Sequence, residues 1–488
     1  MKLREEAAGL ELSQWGRVRA AYDGCVSLLR AAALVLVFLL SACATTTTPP
    51  LPPQAGVGVP AQWAQPVPAG GGALAQWWRG FGDPALVRLV EAALAANTDV
   101  GIARANLLQA RAARGLAAAA LWPQLSASLS AQRAAGAGAG ARNTFQAGFD
   151  ASWEADLFGG NQHALAAQDA LLAASAASLG AVQVSVAAEA AQAYLQLRGT
   201  QARIAVAREN LGTQQETLQI SEWRRQAGLA SAIEVEQART AVEQTRAQLP
   251  VLQAAAAQLA HALGVLTGRP PQALLAELAA TAPLPQPGAE LAVAVPAQAL
   301  AQRPDLLAAE LRLRAAAETV GQAEAARYPR VDLGASLAWS GLTLGSVGSV
   351  PAARTLLASL AQPLFDAGAR EAQLAGRRAD YLAALESWRA GVLAALQEVE
   401  DALAALAADR QRLAALQAAL ESARNAALLA NQRHASGLID FQTVLETQRT
   451  LLAVQDGVAS AQTELATDHV RLYKALGGGW SAAAVGTP

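Results

Sequence analysis

"NTFQAGFDASWEADLFGG" runs from Asn143 to Gly160, and its side chains alternate. Phe145, Ala147, Phe149, Ala151, Trp153, Ala155 and Leu157 are apolar. Gln146, Gly148, Asp150, Ser152, Glu154 and Asp156 between them are polar or glycine. Successive side chains of an extended chain point to opposite faces, so this pattern predicts a strand over about 145–157. One face would be greasy, the other acidic. Such a strand exceeds the about 9–11 tilted residues that cross a bilayer. Leu125, Ala127, Leu129 and Ala131 alternate with Gln124, Ser126, Ser128 and Ser130, predicting a strand at about 123–133. Val331, Leu333, Ala335, Leu337 and Trp339 predict a third at about 329–340. A fourth, about 354–364, alternates poorly. The glycine-rich stretches "AAGAGAGARN" and "SGLTLGSVGSV" are expected as the two hairpin loops.

The rest of the chain predicts long helices. None of the 21 prolines falls between Gln124 and Leu249 or between Leu364 and Thr487, and both blocks are rich in alanine. Leu385, Val392, Val399, Leu406, Leu413 and Leu420 lie seven apart, as do Leu165, Leu172, Leu179 and Val186. A seven-residue apolar repeat makes a left-handed coiled coil. The helix over about 367–434 would be roughly 100 Å long at about 1.5 Å per residue. Pro250 is expected to kink the helix that returns after the first long one.

The two halves match at an offset of 206 to 209 residues: "NTDVGIARANLLQARA" from Asn97 against "RPDLLAAELRLRAAA" from Arg303, and "RRQAGLAS" at Arg224 against "QRHASGLID" at Gln432. Each half reads helix, strand, strand, very long helix, glycine turn, helix, which is a duplicated domain. Four strands cannot stand open in lipid, where every backbone group needs a partner. A closed membrane barrel needs about eight strands or more. Two copies would give a lumen filled by side chains, and three copies a channel. Asp150, Glu154 and Asp156 would line that lumen, with Phe145, Phe149 and Trp153 toward lipid. No helix beyond the N-terminal region is expected to be apolar enough to span.

"LLRAAALVLVFLLSAC" places Arg30 before a short apolar run and then Leu40-Ser41-Ala42-Cys43. That ending resembles the bacterial lipobox, whose cysteine carries lipid. Residues 1–42 therefore read as a lipoprotein signal, with Val26 as an alternative start, and 43–75 as an extended Pro/Thr/Gly-rich tether. A net charge of −2 argues against a nucleic-acid partner. His163, His261, His434 and His469 lack partners at fixed spacing and read as surface histidines, so no metal or catalytic site is expected. The lone Met1 leaves no thioether path for copper or silver.

Several motifs, in order, now carry a resemblance. "WWRGFGDPALVRLVEAALAANTDV" (77–100), "SWEADLFGG" (152–160), "AAEAAQAYLQLRGTQARIAVAREN" (187–210), "LGVLTGRPP" (263–271) and "RPDLLAAE" (303–310) resemble the TolC/OprM-like outer-membrane factor family, in its NodT-type lipoprotein branch. The resemblance implies a mixed, mainly α fold: a homotrimer with a twelve-stranded outer-membrane barrel and a periplasmic helical tunnel. It implies repeats over 76–270 and 303–476, an equatorial junction over 271–302 and a flexible tail over 477–488. It implies the exit duct of a tripartite efflux pump, not an enzyme. A periplasmic adaptor and an inner-membrane transporter, most simply of the RND type, would be partners, with outer-membrane lipid around the barrel. No cofactor is implied beyond the lipid on Cys43. Ala44 after that cysteine implies the outer membrane.

The family's pore constriction maps to Glu446, nine residues after Gly437, with Gln442 four residues before it on the same helix face. Its adaptor-docking tips map to Arg224, Gly228 and Leu229 (about 225–231) and to Arg433, Gly437 and Leu438 (about 433–440). The alternatives are a type I protein-secretion channel and, in another class, a structural coiled-coil lipoprotein.

Overall fold

The computed structural model describes residues 49–50, 52, 56–65, 74–136, 139–287, 296–342, 347 and 352–480. The signal segment, Cys43 and the tail beyond Trp480 lie outside the described residues. Two compact units divide the chain, one built around Leu116–Ala166 and Ala317–Arg378, the other around Pro50–Gly115, Ala167–Ala316 and Ala379–Pro488.

The first unit holds a four-stranded antiparallel sheet in the order β1 (Gln124–Gly136), β2 (Ala139–Ala155), β3 (Arg330–Gly341), β4 (Ala353–Ala361). Phe149 lies opposite both Ala127 and Leu337, and Leu333 opposite both Trp153 and Ala358. Each alternating strand therefore keeps its apolar residues on one face, since directly paired residues share a face.

Two sequence expectations are corrected here. Most of the stretch expected as the first hairpin loop is strand: β2 begins at Ala139, and Gly136 pairs with Ala139 after a register shift beyond Ala134. Small residues fit this tight, twisted end of the hairpin, where a bulge increases the twist. At the other end β2 stops at Ala155, so Asp156 and Leu157 have left the strand.

The helices repeat the duplication in their lengths. α2 (Thr98–Ala119) and α6 (Pro304–Ala325) have 22 residues each, α3 (Gly160–Gln226) and α7 (Ala369–Ala435) 67 each, α4 (Ala232–Leu266) and α8 (Phe441–Ala475) 35 each. α1 (Pro84–Ala96) precedes them, capped by Asp83, and the short α5 (Pro296–Gln302) lies between the halves. The heptad positions Leu179, Val186, Leu385, Val392, Val399 and Leu406 are buried. α4 runs unbroken through Pro250, which sits on its exposed face, where solvent can serve the carbonyl that proline leaves without a donor.

The second unit's main core gathers Trp77, Trp78, Phe81, Leu86, Tyr194, Leu195, Leu263 and Val470, with Trp77 stacked on Tyr473. Part of the expected tether belongs to the packed structure: Trp63 is buried against Val399, Leu403 and Leu476, and Ala64 N–H donates to Glu400. The start of the expected tail is packed too. Gly477, Gly478 and Gly479 are buried, and the Trp480 indole donates to the Gln302 carbonyl. A side chain on Gly477 or Gly478 would meet Arg303 or Trp77 at 3.0 Å.

The expectation that no such helix is apolar enough to span is also corrected. α3 and α4 are both long and apolar enough by length and composition. Alanine raises their apolar content, and α3 spends much of it on protein packing through Ala187, Ala190, Ala191 and Leu195.

Candidate functional site

The sheet presents two chemically distinct faces. On one lie Leu125, Leu129, Phe149, Trp153, Leu333, Leu337, Trp339, Leu356 and Leu360, as the register dictates. Leu129 is 74% exposed and Leu356 85%, so none of the described residues covers this face at the two edge strands. Phe149 and Trp339 meet edge to face, with centroids 6.5 Å apart. The opposite face carries Ser126, Ser128, Gln146, Asp150, Glu154, Asp332 and Ser336.

The acidic side chains of that face differ in their surroundings. Asp150 lies between Ser126 and Ser336 and is exposed. Glu154 lies opposite Asp332, and Arg330 reaches both, at 3.9 and 2.9 Å. That arginine partly neutralises the face. Asp156 does other work: its Oδ2 accepts from Gln162 N–H at 2.8 Å, within the first turn of α3. A carboxylate there satisfies a free N–H and suits the positive end of the helix dipole.

The two tips are built alike. Gly228 and Gly437 both have φ +73°, the left-handed region that glycine enters without strain. Leu229 N–H donates to Arg224 O, and Gly228 N–H to Arg225 O. Leu438 N–H donates to Arg433 O, and Gly437 N–H to His434 O. This is the Schellman pattern, so helix termination accounts for the glycine, while its bonds join backbone groups and leave the arginine and leucine side chains free to serve otherwise. Leu229 and Leu438 remain exposed. The tips touch through Arg224 Nη1, which donates to His434 Nε2 at 2.9 Å. Guanidinium only donates, so the His434 proton sits on Nδ1, facing the Ile439 carbonyl at 3.2 Å.

The return helices start on firm caps. Ser231 and Glu234 form a capping box for α4, and Asp440 Oδ1 accepts from Thr443 N–H to open α8. On α8, Phe441, Val444, Leu445 and Gln448 are buried, while Gln442 and Glu446 are exposed one turn apart. Arg449, unflagged in sequence, is exposed three residues after Glu446 and places a positive charge on the same side.

A polar seam that no local sequence pattern announces joins α3 and α8. Arg203 forks onto Asp456 at 2.7 and 3.0 Å, Asn210 donates to Gln455, and Gln448 donates to Thr217. Arg203, Asn210, Thr217 and Arg224 lie seven apart, a polar heptad line beside the apolar one. Deeper, Tyr194 donates to Asp83 at 2.6 Å and accepts from Arg198, and burial pushes its phenol up to about 12. In the second repeat Arg303 forks onto Asp305 and also donates to Glu398 and the Ala475 carbonyl. The "RPD" motif is thus a structural clamp.

One histidine expected at the surface is buried, and another, part-buried, meets a carboxylate. His469 is buried, with its Nδ1 2.8 Å from the Leu465 carbonyl, and burial lowers its pKa. His163 lies 2.7 Å from Glu318 and against Gly321. Sequence distance hid the second pair, since its partners are 155 residues apart.

A duplicated strand-pair and long-helix fold, with an uncovered apolar sheet face and paired helical tips, defines an outer-membrane channel. A sequence profile described as "Outer membrane efflux protein" matches residues 89–269 and 295–478, and the chain belongs to that family. It is 34% identical over 452 residues to the pyoverdine export outer membrane protein OpmQ of Pseudomonas aeruginosa, covering 88% of this chain and 93% of that one. It is 30% identical to nodulation protein T of Rhizobium leguminosarum bv. viciae, covering 86% and 87%. The solved outer-membrane channel OprN superposes with a TM-score of 0.83 at 34% identity, covering 89% and 99%. The chain is an efflux channel of the outer membrane.

Proposed function

We propose that three copies of this chain close a twelve-stranded barrel and form the exit duct of a tripartite pump for small molecules. The single observation that carries this is the four-stranded sheet with two free edges and one uncovered apolar face. An open sheet of this kind is unstable in lipid, and closure among copies pairs both edges. The polar face then lines water, with Asp150 exposed in the lumen. The exposed Leu229 and Leu438 at the tips serve a periplasmic adaptor, and an RND-type inner-membrane transporter supplies the energy. Conduction needs no catalytic group, and the chain acts as a channel rather than an enzyme. Relatives named for the export of pyoverdine and of toluene favour small solutes over secreted proteins. Glu446 forms a ring at the closed end, and Cys43 carries the lipid anchor.

The test is the oligomeric mass of protein extracted in detergent from outer membranes. A trimer is expected; a monomer refutes the shared barrel. Loss of palmitate label in Cys43→Ser is expected as well, and persistent labelling refutes the anchor.

A further inference from the structure

The apolar face of the sheet ends abruptly toward the hairpins. Its last apolar residues are Ala131, Phe145, Trp339 and Leu356, and the next same-face positions outward are Arg133, Asn143, Gly341 and Arg354. The two arginines stand on β1 and β4, the two free edges, and both are exposed. Neither side chain has an ion-pair or hydrogen-bond partner among the described residues. By contrast Arg330, at the opposite end of the sheet and on the polar face, is matched by Glu154 and Asp332.

We propose that Arg133 and Arg354 bind the phosphate groups of an anionic, acylated lipid of the outer leaflet. The proposal rests on the barrel reading. When copies close the ring, β4 of one copy meets β1 of the next, so each boundary receives Arg354 from one copy and Arg133 from the other. Two unmatched guanidinium groups on adjoining strands repel unless an anion lies between them. Arginine suits phosphate because its planar fork donates two parallel hydrogen bonds. The lipid's acyl chains continue over the apolar band, onto Leu356 and Trp339 from one copy and Leu129 from the next. A phosphate without chains would gain only the charge contact. A long arginine stem lies on the apolar band while its head reaches the polar layer. The site is completed only by the neighbouring copy, so bound lipid ties the copies together.

The test uses full-length wild-type protein, delipidated in detergent, with three probes: lipopolysaccharide, the same lipid dephosphorylated, and inorganic phosphate. Bound lipid is counted by native mass spectrometry, and the trimer dissociation temperature is read on gels. Lipopolysaccharide is expected to bind and to raise that temperature, and the other two probes to do so far less. Each arginine is worth about fivefold in binding, so R133Q/R354Q is expected to bind about 25-fold more weakly. R142Q is the control, because Arg142 pairs with Ala134 on the opposite face, and it is expected to match wild type. Equal binding by the double variant, or by the dephosphorylated lipid, overturns the proposal. If R133Q/R354Q fails to assemble, the single variants decide: a fivefold loss in each supports the site, and wild-type affinity in both overturns it. A wild-type protein that never forms a trimer refutes the barrel instead.

Discussion

Gly199, in the middle of α3, is where the structure makes its sharpest quantitative demand. A Cβ built there would stand 2.0 Å from Thr463 Oγ1, 2.5 Å from its Cγ2 and 2.8 Å from its Cβ, on α8. Rotating Thr463 could move the first two atoms but not the third, and it would break the bond from Oγ1 to the Ala459 carbonyl. Gly199→Ala must therefore push the two helices apart by roughly half an ångström or more, as ordinary carbon contacts lie at about 3.5–4.0 Å. The fork of Arg203 onto Asp456 lies one turn away and would be stretched by the same movement. Overpacking of this kind costs about 1–3 kcal/mol, and the better helix propensity of alanine returns about 1 kcal/mol. The net loss for Gly199→Ala then lies between about zero and 2 kcal/mol, and Gly199→Val should lose more.

Gly212 on the same helix is the internal control, because a Cβ there meets nothing within 4 Å. Gly212→Ala should raise stability by up to about 1 kcal/mol through propensity alone. The assay is thermal loss of helical circular dichroism in detergent, comparing midpoints across the series. The expected order is Gly212→Ala above wild type, then Gly199→Ala, then Gly199→Val. Adding Thr463→Ala to Gly199→Ala should recover part of the loss, because two of the three close contacts disappear. A Gly199→Ala protein stabilised as much as Gly212→Ala would refute the close approach of α3 and α8.

Asp468 is 1% exposed, and burial and the neighbouring Asp409 raise its carboxyl to about 6. Its folded form holds a proton more tightly than the unfolded chain, so this contribution is full below about pH 4 and fades as pH rises through about 6. Asp468→Asn should flatten that fall in melting temperature, and an unchanged profile would count against it. Glu446→Gln should reduce cation preference in planar bilayers and Arg449→Gln increase it; unchanged selectivity in both would make them ordinary solvated side chains. Gly437→Val forces a branched side chain into a left-handed φ at a cost of about 1–2 kcal/mol, and should raise hydrogen exchange at the second tip and lower efflux. Gly437→Asn should be milder, and equal effects of the two would argue against the left-handed cap.

The fold was legible wherever a physical period is short and local. Alternation marked strands at Gln124–Ser130, Phe145–Ala155 and Val331–Trp339, because each side chain's face is fixed by its own backbone. The absence of proline marked α3 and α7, because one interior proline would have broken the ladder. β4 was harder: Leu357 lies on the polar face opposite Gly334, so Leu356 and Leu357 blur the period while the register itself stays regular. The missed features depend on partners far along the chain. Arg203 and Asp456 are 253 residues apart, and a polar heptad is invisible to a search for apolar ones. Trp63 reads as part of a flexible tether because proline and glycine dominate its neighbours, yet its buried ring makes the segment a strap on α7 and α8. His469 reads as surface because charged and polar residues flank it, while three-dimensional packing closes over its ring. For the same reason the arginine, glycine and leucine of the tips were recognisable as a motif before their cause was. The Schellman bonds account for the glycine alone, because they join backbone groups and require neither the arginine nor the leucine side chain. The proposal of adaptor docking therefore rests on what termination leaves unexplained, the exposed Leu229 and Leu438.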